Sequence, residues 1–97
     1  MSSFVRLFIA HARDAVAQYQ IERDFCEVKD YLAVESGYER SEVLSQDDGL
    51  MVAFLTVWTS RQDALRFHFS GLNDLMTAIT KPHIAGTPVV RLFRIIC

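Results

Sequence analysis

Apolar residues along this chain follow two rhythms, one near-continuous and one helical. Phe4 to Ala10 (FVRLFIA) is β-branched, aliphatic or aromatic with one interruption at Arg6, which predicts a strand of about seven residues. From roughly Asp14 to Glu35 the apolar positions Ala17, Ile21, Phe25, Val28 and Leu32 recur every three or four residues, with charged residues on the other faces. That predicts a long amphipathic helix, and Gly37 stands just past it, where a residue of positive φ is usually wanted. Tyr38 to Ser45 is a polar strand, Gln46-Asp47-Asp48-Gly49 is turn chemistry, and Leu50 to Thr59 (LMVAFLTVWT) is apolar for almost its whole length. The two segments form a hairpin whose second strand is central to the sheet.

Ser60-Arg61-Gln62-Asp63 carries the signature of a helix N-cap with an acid three residues on. Ala64, Leu65, Phe67 and His68 follow on that helix, Ser70-Gly71 breaks it, and Leu72, Leu75, Met76 and Ile79 predict a second short helix before Lys81-Pro82. Gly86-Thr87-Pro88 launches a last strand, Val89 to Cys97. The order is β-α-β-β-α-β, an α+β class, ferredoxin-like arrangement with four antiparallel strands and the helices on one face, in one domain over residues 1–97. Leu50 to Thr59 and Val89 to Cys97 place apolar residues on both sheet faces, where one solvated face should alternate with polar residues. A second copy packed sheet to sheet is the simplest cover, so a homodimer through the open face is expected.

Composition narrows the partners. Ten basic against twelve acidic side chains give a net charge of -2 with no Lys/Arg cluster, which argues against nucleic acid. The start, Met1-Ser2-Ser3-Phe4, has no basic n-region followed by an apolar h-region, and no apolar run approaches the roughly 20 residues of a membrane span; the chain is expected to be soluble and cytoplasmic. Cys26 and Cys97 lack any metal-ligand spacing, so no metal is expected, and Cys26 is taken as a small hydrophobe on its helix. No Gly-rich phosphate loop calls for a nucleotide cofactor.

The chemistry-bearing residues each admit two readings. Trp58 either stacks on a flat ligand or closes the core against the helices. His68 is either a base near neutrality or a surface or capping histidine; His11 and His83 are expected in solvated loops. Arg6, Arg91 and Arg94 lie in apolar strands, and a buried guanidinium costs several kcal/mol unless it is paired, so each is expected to reach Glu39 or Glu42, the subunit interface, or an anionic ligand. Tyr38 either donates into a pocket or staples the helix end to the sheet, and Phe54 and Phe67 are further candidate pocket walls.

The phrases Gly37-Tyr38, Glu42-Val43-Leu44, Asp48-Gly49 and Val57-Trp58-Thr59-Ser60-Arg61-Gln62-Asp63-Ala64, in this order over nearly the whole chain, resemble the antibiotic biosynthesis monooxygenase superfamily of dimeric α+β barrels. The resemblance implies a cofactor-independent monooxygenase that oxidises a small aromatic or quinol-like substrate between sheet and helices, with Trp58 at the family's pocket Trp and His68 as base. The family's Asn four residues before that Trp is Phe54 here, which favours the alternative of a non-catalytic dimeric module that binds a small hydrophobe or serves in assembly. The haem-degrading branch is matched less well: Phe67 stands at its helix Trp and Thr77 at its axial His.

Overall fold

The computed structural model describes residues 2–97. Strand β1 (Phe4–His11) is followed by helix α1 (Ala15–Tyr31), the hairpin β2 (Tyr38–Ser45) and β3 (Met51–Trp58), helices α2 (Arg61–His68) and α3 (Gly71–Thr80), and strand β4 (Val89–Arg94). The strands form one sheet in the order β2-β3-β1-β4, every pair antiparallel, so β3 and β1 are central and β2 and β4 are edges. This is the ferredoxin-like layout expected from the order of elements.

Local chemistry accounts for the element ends. Asp14 caps α1 by accepting from the Ala17 amide at 2.7 Å, a contact worth about 1 kcal/mol in typical helices. The helix stops at Tyr31, earlier than the predicted Glu35, because its last turn tightens into a 3-10 turn over Leu32–Val34 before Gly37 reverses the chain at φ 80°. Ser60 and Ser70 cap α2 and α3, accepting from the amides of Asp63 and Asn73. Strand β4 ends at Arg94 rather than Cys97, since its partner β1 begins at Phe4; one further bond, from the Ile95 amide to the Ser3 carbonyl, carries the pairing to its limit.

The core lies between the sheet and the helices. Phe8 meets Phe25 edge-on at 5.6 Å, Phe25 stacks on Phe54 at 5.3 Å, and Ile21, Val28, Leu32, Val52 and Met76 fill the space around them. Each fully buried side chain of this size contributes roughly 1.5–3 kcal/mol. Gln18 ties α1 to the hairpin, its Nε2 donating to Ser45 Oγ, the Gln46 carbonyl and the Gly49 carbonyl. On the other face of the sheet Val5, Leu7, Ile9, Ala53 and Leu55 are half-buried and Leu44 and Phe93 exposed, so apolar side chains line a face that no helix covers.

Three expectations are corrected. Arg91 and Arg94 are exposed because β4 is an edge strand, so neither needs a carboxylate. Cys26 lies on the solvent face of α1, not in the core; it and Cys97 are exposed free thiols. His11 closes β1 instead of lying in a loop, and the isolated bridge Ala12–Ile84 lies beside it. No helix among the described residues is long and apolar enough to cross a membrane.

Candidate functional site

Arg6 is the one strand arginine that the fold buries. Its β1 position points at the helices, in register with Thr56 of β3 and Leu92 of β4, and its residue exposure is 1%. Nε donates to His68 Nδ1 at 3.3 Å and Nη2 donates to Asn73 Oδ1 at 2.8 Å. The guanidinium carbon lies 5.2 Å from the centre of the Phe67 ring and 5.7 Å from that of Phe8. The ion pairs among the described residues are Arg13–Asp14 and Arg66–Asp63, so Arg6 has no carboxylate partner. Burial lowers its pKa to about 10, which at ~1.36 kcal/mol per pH unit puts the cost of the buried charge at about 3 kcal/mol. Of the expected partners, Glu39 accepts from Ser3 and Glu42 is exposed.

The acceptors of Arg6 are themselves held. Asn73 sits at the third position of α3, and its Nδ2 donates to the His68 carbonyl at 2.8 Å, which fixes the amide so that Oδ1 faces Arg6. His68 ends α2 half-buried, with Phe69 edge-on at 4.9 Å. Burial first, and the Arg6 charge second, push its pKa below the ordinary histidine value, so the ring is neutral at neutral pH. A neutral ring that accepts at Nδ1 carries its proton on Nε2. The lone pair that a base requires is therefore engaged by Arg6, and the free nitrogen presents a donor.

Trp58 and Phe67 stack at 5.1 Å, Tyr38 meets Trp58 edge-on at 5.8 Å, and Trp58 and Phe67 are each 1% exposed. The Trp58 indole donates to Thr56 Oγ1 at 2.8 Å, and that hydroxyl in turn donates to the Arg6 carbonyl. The Tyr38 hydroxyl shares a 2.7 Å hydrogen bond with Ser41. The structure thus gathers Arg6, His68, Phe67, Trp58 and Tyr38 at one end of the sandwich, whereas Phe54 lies deeper, against Phe25. The indole donor is satisfied inside the protein, the Tyr38 hydroxyl is engaged by Ser41, and the rings close on each other. The Thr77 hydroxyl is likewise taken up locally, by the Asn73 carbonyl. Asn73 itself escaped sequence reasoning, because an Asn three residues after a capping Ser gives only a helix-start signal.

Among the described residues, surface cavities lie elsewhere. One, of about 470 Å³, is lined by Thr77, Lys81, Ile84 and the Gly86–Pro88 segment; another follows the groove between α1 and α3; a further one lies on the open sheet face around Ile9, Leu44 and Met51. Among the described residues no group of His, Cys, Asp and Glu has the arrangement to hold a metal ion.

No protein-family model and no curated protein matches the chain. Solved structures do. A Nitrosomonas europaea protein provisionally described as an antibiotic biosynthesis monooxygenase superposes with TM-score 0.81 at 13% identity, over 95% of this chain and 88% of that one. SnoaB, a cofactor-independent oxygenase from Streptomyces nogalater, gives 0.78 at 16% identity over 96% and 92%. A dimeric protein of ferredoxin-like fold and unknown function from Bacteroides fragilis gives 0.78 at 12% over 96% of each. At such identities the likeness is one of fold. By fold, this chain stands with the proteins named antibiotic biosynthesis monooxygenases.

Proposed function

We propose that this protein is a homodimeric, cofactor-independent monooxygenase that oxidises a small aromatic or quinol-like substrate taken up between the sheet and the α2–α3 layer. The observation that carries this reading is Arg6, a cation kept inside the fold at a cost of about 3 kcal/mol with neutral partners only. Such a charge is suited to an electron-rich substrate anion. In the reaction an acidic CH₂ group of the substrate loses a proton to solvent, and the resulting carbanion adds O₂ to form a hydroperoxide. Loss of water then leaves a carbonyl, one oxygen atom staying in the product and the other departing as water. Arg6 holds the substrate as its anion and lowers the substrate's own pKa, so no protein base is required. His68 donates from Nε2 to the oxygen that gains charge. Trp58 and Phe67 part as α2 moves outward and become the walls, with Tyr38 at the rim and Phe54 at the floor.

The uncovered apolar face supports the dimer, because a second copy would bury Leu7, Ile9, Leu55 and Phe93. The reaction is tested by supplying anthrone or other aromatic ketones with an acidic CH₂ group under air and following oxygen consumption. Uptake above background that falls at least about tenfold in His68→Ala is the expected result; no uptake by wild type removes the enzyme reading for these substrates. A second reading, a non-catalytic dimeric module for a small hydrophobe, is favoured by the closed Trp58–Phe67 stack and by Phe54 in place of the family's Asn. It requires ligand binding without oxygen uptake.

A further inference from the structure

Asp24 is a buried carboxylate that the chemistry around Arg6 does not use. The inward stripe of α1 runs through Ala17, Ile21, Phe25 and Val28, and Asp24 is buried along with it, its residue exposure being 8%. The hydrogen bond to its side chain comes from Gln20, one turn back, whose Nε2 donates to Oδ1 at 2.9 Å. Oδ2 has no donor among the described residues, and neither of their ion pairs reaches Asp24. No buried side-chain oxygen or nitrogen sealed from solvent lacks a partner there, so Oδ2 keeps an open side. That side is the groove between α1 and α3, a cavity of about 300 Å³ that Asp24 lines. The fold thus carries a desolvated carboxylate with one neutral partner and no cation.

The remainder of the groove suits an apolar body. Leu72, Leu75 and Ile79, at helical spacing, form the α3 wall, and Val28 and Tyr31 belong to the α1 wall. Leu75 is 55% and Tyr31 58% exposed, apolar surface that no described part of the chain covers. Glu27 adds an exposed carboxylate, and no Lys or Arg lines the groove. Negative charge at one place and apolar walls at the others complement a ligand with one cationic head and a short hydrophobic body. A hard metal ion is a poor match, because it takes about six oxygens and no group of His, Cys, Asp and Glu among the described residues could hold one. The volume stands at the small end for a small-molecule site. We propose that the α1–α3 groove binds a small primary arylalkylamine, its ammonium donating to Asp24 Oδ2 and its ring lying against Leu72, Leu75 and Ile79. The groove shares no lining residue with the Arg6 cluster and takes the opposite charge, so it is independent of the oxidation reading.

Isothermal titration of the full chain with matched probes tests the assignment. 2-Phenylethylamine, a cation at neutral pH, is compared with 2-phenylethanol, its neutral counterpart, and with methylammonium, the head without the body. The amine is expected to bind at least about tenfold tighter than the alcohol and at least about tenfold tighter than methylammonium. Asp24→Asn keeps an acceptor for Gln20 and should bring amine and alcohol within about twofold, with the circular dichroism spectrum unchanged. Leu75→Lys, at an exposed position outside the core, sets a cation in the wall and should weaken the amine about fivefold; it keeps the test decisive should the substitution at Asp24 prevent folding. Amide shifts during the titration should centre on residues 24–31 and 72–79. Equal affinity for amine and alcohol, equal affinity for methylammonium, or no binding of the amine overturns the proposal. So does a preference that survives Asp24→Asn, amine binding untouched by Leu75→Lys, or shifts centred elsewhere.

Discussion

Arg6 and His68, 62 residues apart in the chain, are joined by a hydrogen bond from guanidinium Nε to imidazole Nδ1 at 3.3 Å. Two side chains that can both be cationic share this bond only while the histidine is neutral. The pair therefore fixes a charge state as well as a geometry, with one positive charge and two outward donors.

Removing that charge should leave the fold intact. Arg6→Met deletes a buried cation that has no carboxylate, at the expense of unsatisfying His68 Nδ1 and Asn73 Oδ1. Urea unfolding should find the variant within about 1 kcal/mol of wild type or more stable. A loss beyond about 3 kcal/mol, the size expected for breaking a compensated buried pair, would mean that the guanidinium has a structural counter-charge after all.

Stability should decline in mild acid through His68. Its folded pKa lies below the ordinary value, so as pH falls through about 6.5 the unfolded chain takes up a proton before the folded one does. The contribution is complete above that pH, is lost as pH falls to the folded value, and stays lost below it. Urea midpoints across this window should fall less steeply for His68→Gln. In the wild type, nitrogen-15 chemical shifts should place the neutral ring's proton on Nε2; a proton on Nδ1 would break the pairing with Arg6.

The Trp58–Phe67 stack predicts a large cost for truncation on the α2 side. Phe67→Ala empties a fully buried site beneath the indole and should destabilise by about 3–5 kcal/mol. A cost under about 1 kcal/mol would show that α2 already stands away from the sheet.

Gly37 is fixed by two constraints at once. Its φ is 80°, and a Cβ there would run into the Asp63 side chain, which accepts from Thr59, Ser60 and Arg66. Gly37→Ala should cost about 2 kcal/mol from the left-handed backbone, with more from the displaced Asp63. Gly86, also at positive φ but with open space around it, should show the backbone cost only. Thermal melts of the two variants separate these contributions.

On the open face, Leu55→Glu should abolish self-association with little change in secondary structure, because Leu55 lies on the central strand and points away from the helices. Sedimentation at micromolar concentration reads the outcome; a wild type that sediments at 11.1 kDa removes the dimer.

Local rules made much of the fold legible. Asp14, Ser60 and Gly37 act through neighbours within four residues or through their own φ, so their signals are present in short windows of sequence. Nothing in the composition around Arg91 and Arg94 marks them as exposed, because strand order, not strand composition, makes β4 an edge. Arg6 stands out in the sequence as a lone charge in an apolar strand, yet its partners lie 62 and 67 residues away and are neutral, so no charge pattern points to them. Trp58 carried the same sequence signal whether it faced a ligand or a core ring, and only packing distinguishes the two.

The bonds from Gln18 to the hairpin have a kinetic counterpart at the opposite end of the sandwich. With α1 tied to the β2–β3 turn and burying Ala17, Ile21, Phe25 and Val28, that side is expected to open less readily than α2. Helix α2 buries just Ala64 and Phe67 over eight residues, and beyond its cap it is held by the Trp58–Phe67 stack and the two hydrogen bonds of His68. Amide hydrogens of α2 should therefore exchange with solvent orders of magnitude sooner than those of α1, so that the slow breathing of one short helix sets the rate at which anything reaches Arg6.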